Sequence, residues 1–213
     1  MNLADLRENY TKGGIHESEM LPNPVDQLAD WIKTARDVGI PDANAMTVAT
    51  ANASGQVSSR TLLLKGIEGR SLQFFTNYRS SKAQDLTENP YASMTFLWKE
   101  MERQVCIRGI VAKTTREASE NYFKIRPYDS QIGAWVSERQ SEVIPDRALL
   151  EKRDREYREK FPAAAGVPCP DFWGGYQLTP SYLEFWQGRQ GRLHDRLRYR
   201  LDSNNWVMER QSP

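Results

Sequence analysis

Between Ala45 and Val111 the apolar residues come in short runs separated by turn-forming residues, a rhythm that suits strands and leaves no room for long helices. Met46 and Val48 alternate with polar neighbours, Asn52 to Gly55 supplies a turn, and Val57 leads into an apolar strand core at Leu62 to Leu64. Gly66 to Gly69 turns the chain into a further strand, Ser71 to Thr76. Ser80 to Glu88 reads as a short helix stopped by Asn89-Pro90, and strands follow at Ala92 to Trp98 and Gln104 to Val111. The C-terminal third predicts strands at Gly175 to Leu178, Tyr182 to Trp186, Arg192 to Leu201 and, after the Asp202 to Asn205 turn, Trp206 to Glu209. Helices are few. Asn23-Pro24, then Leu28, Trp31, Ile32, Ala35 and Val38 before Gly39, form a capped and terminated helix. Another opens at Thr115, carries Tyr122 and Phe123, and ends near Arg126 because Pro127 disfavours the helical conformation in its predecessor. The last runs from Asp146 to Phe161 with a solvated outer face of spaced charges, such as Glu151 with Arg155. Hairpin-connected strands with peripheral helices predict a mainly β chain folded as an antiparallel barrel.

The 213 residues can bury a substantial core, and no linker-like break in composition divides them, so one domain is expected over residues 23–213 behind an N-terminal segment, 1–22. No apolar stretch approaches the roughly 20 residues that span a bilayer. Met1 to Tyr10 lacks the apolar region of a secretory signal, so a cytoplasmic protein is expected. Cys106 and Cys169 have no metal-ligand spacing, and no metal is expected. The 29 Lys and Arg against 28 Asp and Glu argue against a general nucleic-acid binder. The positive charge is nevertheless uneven and gathers between Arg189 and Arg200.

Within that cluster, Arg192-Leu-His194-Asp-Arg196 would place Arg192, His194 and Arg196 on one face of a strand, an arrangement that asks for an anion between the like charges. The plainer alternative is a solvated basic strand paired with acidic neighbours. Arg60 and Lys65 bracket the apolar Leu62 to Leu64 run and again suggest phosphate, although residues five apart fall on opposite faces of a regular strand. They either flank a bulge or serve different groups. Ser80-Ser81-Lys82 stands at a helix start, where free N–H groups favour a phosphate, though a serine there is more commonly a cap. Tyr122 and Arg126, four apart on a helix, join Ser130 as donors for a second small anion. Trp173-Gly-Gly-Tyr176 and Glu184-Phe-Trp-Gln-Gly188 pair aromatic residues with glycines, a pattern of core packing or of close approach to a flat ring.

Taken together, Arg60-Thr-Leu-Leu-Leu-Lys65, Phe75-Thr-Asn77, Arg103-Gln-Val105, Arg126-Pro-Tyr-Asp-Ser-Gln-Ile-Gly-Ala-Trp135, Phe172-Trp-Gly-Gly175 and Glu184-Phe-Trp-Gln-Gly188 with Arg192-Leu-His-Asp-Arg196 resemble the pyridoxine (pyridoxamine) 5'-phosphate oxidase family from about Leu6 to the last residue. The resemblance implies an FMN-binding split β-barrel of antiparallel, Greek-key-like design and a homodimer with two flavins at the subunit interface. It implies oxidation of pyridoxine 5'-phosphate or pyridoxamine 5'-phosphate to pyridoxal 5'-phosphate by hydride transfer from C4' to flavin N5, with O2 reduced to H2O2. Such a cofactor carries the redox chemistry, which accounts for a sequence without an evident nucleophile or metal ligand.

By the same resemblance, Arg60, Thr61, Leu62, Leu63, Leu64, Lys65, Phe75, Thr76, Ser81, Lys82, Gln104, Gln140, Ser141, Trp186 and Arg196 would surround FMN. Lys65, Tyr122, Arg126, Ser130, Arg192 and His194 would hold the substrate, with Arg192 and His194 as the catalytic pair. Arg7 and Tyr10 are similar to the segment that folds over the family's bound substrate, which would make residues 1–22 a flexible lid. Ser81 stands where the family commonly has an arginine, with Arg79 as a nearby substitute, and the stretch between Trp135 and Ile144 is one residue longer than in many relatives. Two other readings compete: another split-barrel flavoprotein such as a flavin reductase, which would lack the Arg192 and His194 face, and a non-catalytic binder of pyridoxal 5'-phosphate.

Overall fold

A computed structural model describes Leu3 and residues 9–213. Arg7 therefore lies outside the described residues. Among the described residues nine antiparallel strands form the body: β1 (Ala45–Ala51), β2 (Val57–Leu63), β3 (Gly66–Glu68), β4 (Ser71–Asn77), β5 (Tyr91–Trp98), β6 (Arg103–Lys113), β7 (Trp173–Gln187), β8 (Asp195–Asp202) and β9 (Asn205–Arg210). The strands pair in the order β2-β1-β5-β6-β7-β4-β3, with β8 also on β7 and β9 on β8.

The 15-residue β7 is the spine of this split barrel. It pairs with β6 along its length, while its first half pairs with β4 (Leu72 opposite Leu178) and its second half with β8 (Trp186 opposite Arg196). The sequence suggests two strands here because Thr179-Pro180-Ser181 looks like a break. Instead the chain continues through a register shift at Arg108/Gly109, and the bulge accommodates a proline that cannot donate to the ladder.

Helix α1 (Pro24–Asp37) is capped by the Asn23 side chain and buries Val25, Leu28, Trp31 and Ala35. These join the central core of Phe74, Phe96, Phe185 and Leu197, where Trp31 meets Phe185 edge to face at 5.0 Å. Helices α2 (Ser81–Glu88), α3 (Arg116–Lys124), α4 (Tyr128–Val136) and α5 (Ala148–Lys160) lie around the sheet. A smaller core of Phe123, Ile132, Val167, Phe172 and Trp173 packs α3 and α4 against the start of β7. Helix α5 buries no residue, and its Glu151 pairs with Arg147 rather than Arg155. The sequence reading has no counterpart to α4, which begins directly after Pro127.

Two further expectations need correction. Leu62 to Leu64 is not a fully buried strand core: β2 is an outermost strand, Leu62 and Leu63 are half-buried, and only Leu64, just past the strand, is buried. Nor does a strand run from Arg192. Gly191 and Arg192 both adopt left-handed conformations, with φ of 63° and 62°, in a 3-10 turn (Gln190–Arg192), and β8 starts only at Asp195. Among the described residues, no helix is long and apolar enough to cross a membrane.

Candidate active site

The most informative side chain is Lys82. It is 6% exposed, its ammonium donates to Thr76 Oγ1 (3.2 Å) and Ser80 Oγ (3.1 Å), and no carboxylate of the described residues forms an ion pair with it. Burial, reinforced by the nearby charge of Arg60, pushes its pKa down to about 8. Arg60 faces the same region from β2. Its guanidinium donates to Thr50 Oγ1 (2.9 Å), Ser58 Oγ (2.6 Å) and Val48 O (3.2 Å). Asp85 accepts from the same Thr50 and Ser58 hydroxyls, so the carboxylate reaches Arg60 through hydroxyl groups rather than directly. Burial lowers the Arg60 pKa, with Asp85 acting in the opposite sense. A buried ammonium beside a half-buried guanidinium, both held mainly by hydroxyls, is costly by itself and suited to a phosphate.

The start of α2 adds to this pole. Ser80 occupies the N-cap without a side-chain cap bond. Ser81 is exposed, and its hydroxyl and amide approach Ser141 Oγ at 3.2 and 3.4 Å. Ser141, itself at φ 79°, and the exposed Gln140 thus come to the helix start from the loop after α4. Arg79, the nearby candidate for the missing arginine's place, is paired with Glu138 and lies 4.8 Å from the Phe172 ring.

A second anion-seeking group lies across β4. Phe75 stacks on Tyr122 at 4.0 Å and on Trp173 at 5.6 Å, and the Arg126 guanidinium sits 4.5 Å from the Trp173 ring centre. Arg126 Nη1 is buried with no hydrogen-bond partner, and burial lowers the pKa of the group. An orphaned buried guanidinium nitrogen is rare in a folded chain and marks a place for a ligand oxygen. Ser130 is half-buried on α4 and Lys65 exposed at the β2–β3 junction, so Arg60 and Lys65 belong to different surroundings, as their spacing allows. Thr61 is exposed on β2 opposite Thr47.

The third part is a row across three strands. Gln104 on β6 is opposite Trp186 on β7, which is opposite Arg196 on β8. Arg196 grips Glu184 with two bonds, Nε to Oε1 at 2.8 Å and Nη2 to Oε2 at 3.0 Å, while Tyr182 also donates to Glu184 at 2.8 Å. Burial pushes the Glu184 carboxyl up, but the bonds from Arg196 and Tyr182 outweigh it and leave the group below its ordinary value.

The shared strand face expected for Arg192, His194 and Arg196 is absent, because the left-handed turn precedes the strand. His194 packs its ring 4.7 Å from Trp186 and accepts the Arg189 N–H at Nδ1 (3.1 Å). Arg192 stands exposed on the turn, and Arg196 is held by Glu184. Tyr10 brings its ring edge to both Trp186 and His194 at 5.4 Å. Trp173 escaped the sequence reading as a site residue. Its signal was the aromatic preceding two glycines, which core packing explained equally well.

Comparison with known proteins agrees with this geometry. The family profile for pyridoxamine 5'-phosphate oxidase matches residues 32–161, and one for the pyridoxine 5'-phosphate oxidase C-terminal dimerisation region matches residues 173–213. A pyridoxine/pyridoxamine 5'-phosphate oxidase of Paraburkholderia phymatum is 50% identical over 99% of both chains. One from Bordetella avium is 48% identical over 100% of both. Among solved structures, PhzG from Burkholderia lata, in complex with tetrahydrophenazine-1-carboxylic acid, superposes with a TM-score of 0.86 at 28% identity, covering 92% of this chain and 95% of that one. A pyridoxamine 5'-phosphate oxidase-related, FMN binding protein from Nostoc punctiforme shares the fold, with a TM-score of 0.72 at 17% identity, covering 91% of this chain and 100% of that one. With a matching profile over more than half its length and full-length relatives near 50% identity, the chain belongs to the pyridoxine/pyridoxamine 5'-phosphate oxidase family of oxidoreductases.

Proposed function

We propose that this protein is an FMN-dependent oxidase that converts pyridoxine 5'-phosphate and pyridoxamine 5'-phosphate to pyridoxal 5'-phosphate. The observation that carries the reading is a pair of separate cationic positions: Lys82 with Arg60, held by hydroxyl and carbonyl oxygens with no carboxylate in direct contact, and the orphaned Nη1 of Arg126. A flavin phosphate and a substrate phosphate require two such places. When bound, FMN supplies a two-electron acceptor for the hydride leaving substrate C4', and O2 takes the electrons on to give H2O2.

The residues present fit that cofactor. Lys82, Arg60, Thr76 and the Ser81–Ser141 contact would hold its phosphate, while the Gln104–Trp186–Arg196 row, with Phe75, would flank the rest. Tyr122, Arg126, Ser130 and Lys65 bind the substrate phosphate. Arg192 and His194 orient the reacting end, and orientation of this kind supplies much of a rate. Arg192 holds a left-handed backbone that costs a non-glycine residue on the order of 1 kcal/mol, as functional positions often do. Residues 1–22 serve as a lid over the single domain 23–213, and Arg7 would act from that lid. The protein works as a cytoplasmic homodimer.

The test is an absorbance spectrum of protein reconstituted with FMN, then given pyridoxine 5'-phosphate without oxygen, then air. Bleaching of the flavin band followed by its return with peroxide release supports the reading. A flavin that binds yet stays oxidised removes the substrate assignment, and a protein that binds no FMN removes the whole proposal. Arg192→Ala should cut turnover sharply, and normal kcat and KM in that variant would reject its catalytic role.

A further inference from the structure

The chain segment before α1 is tied to the barrel by two carboxylates. Asp195 accepts the Ile15 N–H at 3.0 Å. Glu102 accepts the Thr11 N–H at 3.0 and 2.8 Å on its two oxygens and the Lys12 N–H at 2.9 Å. Among the described residues, those two amides have no other acceptor. Glu102 follows a 3-10 turn (Lys99–Met101) in a left-handed conformation, φ 55°, which aims its side chain at the segment while its carbonyl accepts the Gly188 N–H (2.8 Å) and the Gln187 side chain (3.2 Å). A single residue therefore joins the N-terminal segment, through its carboxylate, to the end of β7, through its backbone. Tyr10 immediately precedes this clamp, and a Cβ at Gly188 would overlap its ring.

We propose that Glu102 is a positioning residue of the active site: by fixing the amides of Thr11 and Lys12 it sets the Tyr10 ring against Trp186 and His194, closing the substrate side of the site. The inference rests on the proposed substrate-side role of Tyr10. It gives Glu102 a purpose that none of the motifs above assigns, and it explains why a non-glycine residue keeps a left-handed conformation here. A carboxylate bound to two backbone N–H groups is a charge-assisted contact, strong enough to hold an otherwise exposed segment.

Glu102→Gly suits the left-handed backbone, keeps the carbonyl contacts to Gly188 and Gln187, and removes only the clamp. Loss of a charge-assisted contact should raise KM for pyridoxine 5'-phosphate about tenfold while kcat and FMN affinity stay within about twofold. Tryptic cleavage after Lys12, followed without any substrate, should accelerate about tenfold or more as the segment is released. In a Tyr10→Ala background, adding Glu102→Gly should raise KM no further. An unchanged KM, an equal rise of KM in the Tyr10→Ala background, or a loss of FMN binding would each overturn the proposal. If Tyr10→Ala alone leaves KM unchanged, the role of Tyr10 falls first and the positioning role with it. If Glu102→Gly yields no folded protein, Glu102→Gln decides on the same readouts, because it keeps one acceptor oxygen and should give a smaller KM rise.

Discussion

Two groups of cations in this molecule have opposite surroundings. In the C-terminal ribbon of β8 and β9 and the turn that leads into it, these arginines each meet a carboxylate: Arg189 and Arg210 with Asp195, Arg196 with Glu184, Arg198 with Glu209, and Arg200 with Asp202 and Glu209. At the pole formed by β2, β4 and α2, the buried Lys82 and half-buried Arg60 have only hydroxyl and carbonyl partners, and Arg126 has a nitrogen with none. The sequence drew attention to the first group because it is dense. The anion-seeking character belongs to the second, which is sparse. Density of charge along a chain says little about its availability; neutralisation by neighbours decides that.

The contrast can be broken at its strongest point. Lys82→Met should weaken FMN binding about 100-fold, the loss of a buried charge-assisted contact, and should also stabilise the apoprotein, since a buried unpaired cation opposes folding. Titration of flavin fluorescence and thermal melting of the apoprotein measure the two effects, and unchanged flavin affinity would erase the distinction between the groups. On the paired side, Asp195→Asn leaves Arg189 and Arg210 one acceptor oxygen and no shared negative charge and should cost about 2 kcal/mol in urea unfolding, a value discounted because both arginines are more than a third exposed. Its effect on FMN affinity should be smaller than that of Lys82→Met.

The pH dependence sharpens the same point. Lys82 has a folded pKa depressed to about 8, so the free protein releases this proton as pH rises through that value, whereas a phosphate holds it on. FMN affinity should therefore fall above pH 8, by at most about tenfold per unit for a single proton. In the apoprotein the sign reverses: between pH 8 and the ordinary lysine value the unfolded chain binds more protons, so the Lys82 contribution to stability rises with pH. Asp195 has the same sign of slope, in the acid range instead of the alkaline one. Burial raises its carboxyl pKa, but the bonds from Arg189, Ile15 N–H and Arg210 outweigh that and leave it lowered, so its contribution is lost as pH falls into the acid range. The smallest effect expected is at Arg200→Ala, where exposed pairing with Asp202 and Glu209 should leave the urea midpoint unchanged within error.

Local signals made much of the fold legible. The Asn23 cap, the Thr115 cap and the Asp202 to Asn205 turn each act through neighbouring backbone groups, and the corresponding elements formed where the sequence put them. Helix α4 was missed because Pro127 reads as a stop for α3, although a proline just before a helix is equally compatible with a start. Pro180 misled in the same way, since only pairing with β6 on one side and with β4 and β8 on the other reveals that the strand continues through a bulge. Of the candidate site, Lys82, Arg126 and Tyr122 were visible as residue types at helical positions. The placement of Arg192 was not, because two left-handed residues follow from a turn closed by the Arg189 and Leu193 amides rather than from periodicity.

By itself, then, the sequence determined the class of fold, the family and the need for anionic ligands, because hydrophobic period, turn chemistry and motif spacing are written in consecutive residues. Only the tertiary structure decided which cations are free, that Glu184 claims Arg196, that Trp173 shelves Arg126, and that Glu102 clamps the segment carrying Tyr10. Those outcomes depend on groups distant in the chain, since the energy of a buried charge is set by whatever happens to surround it in space.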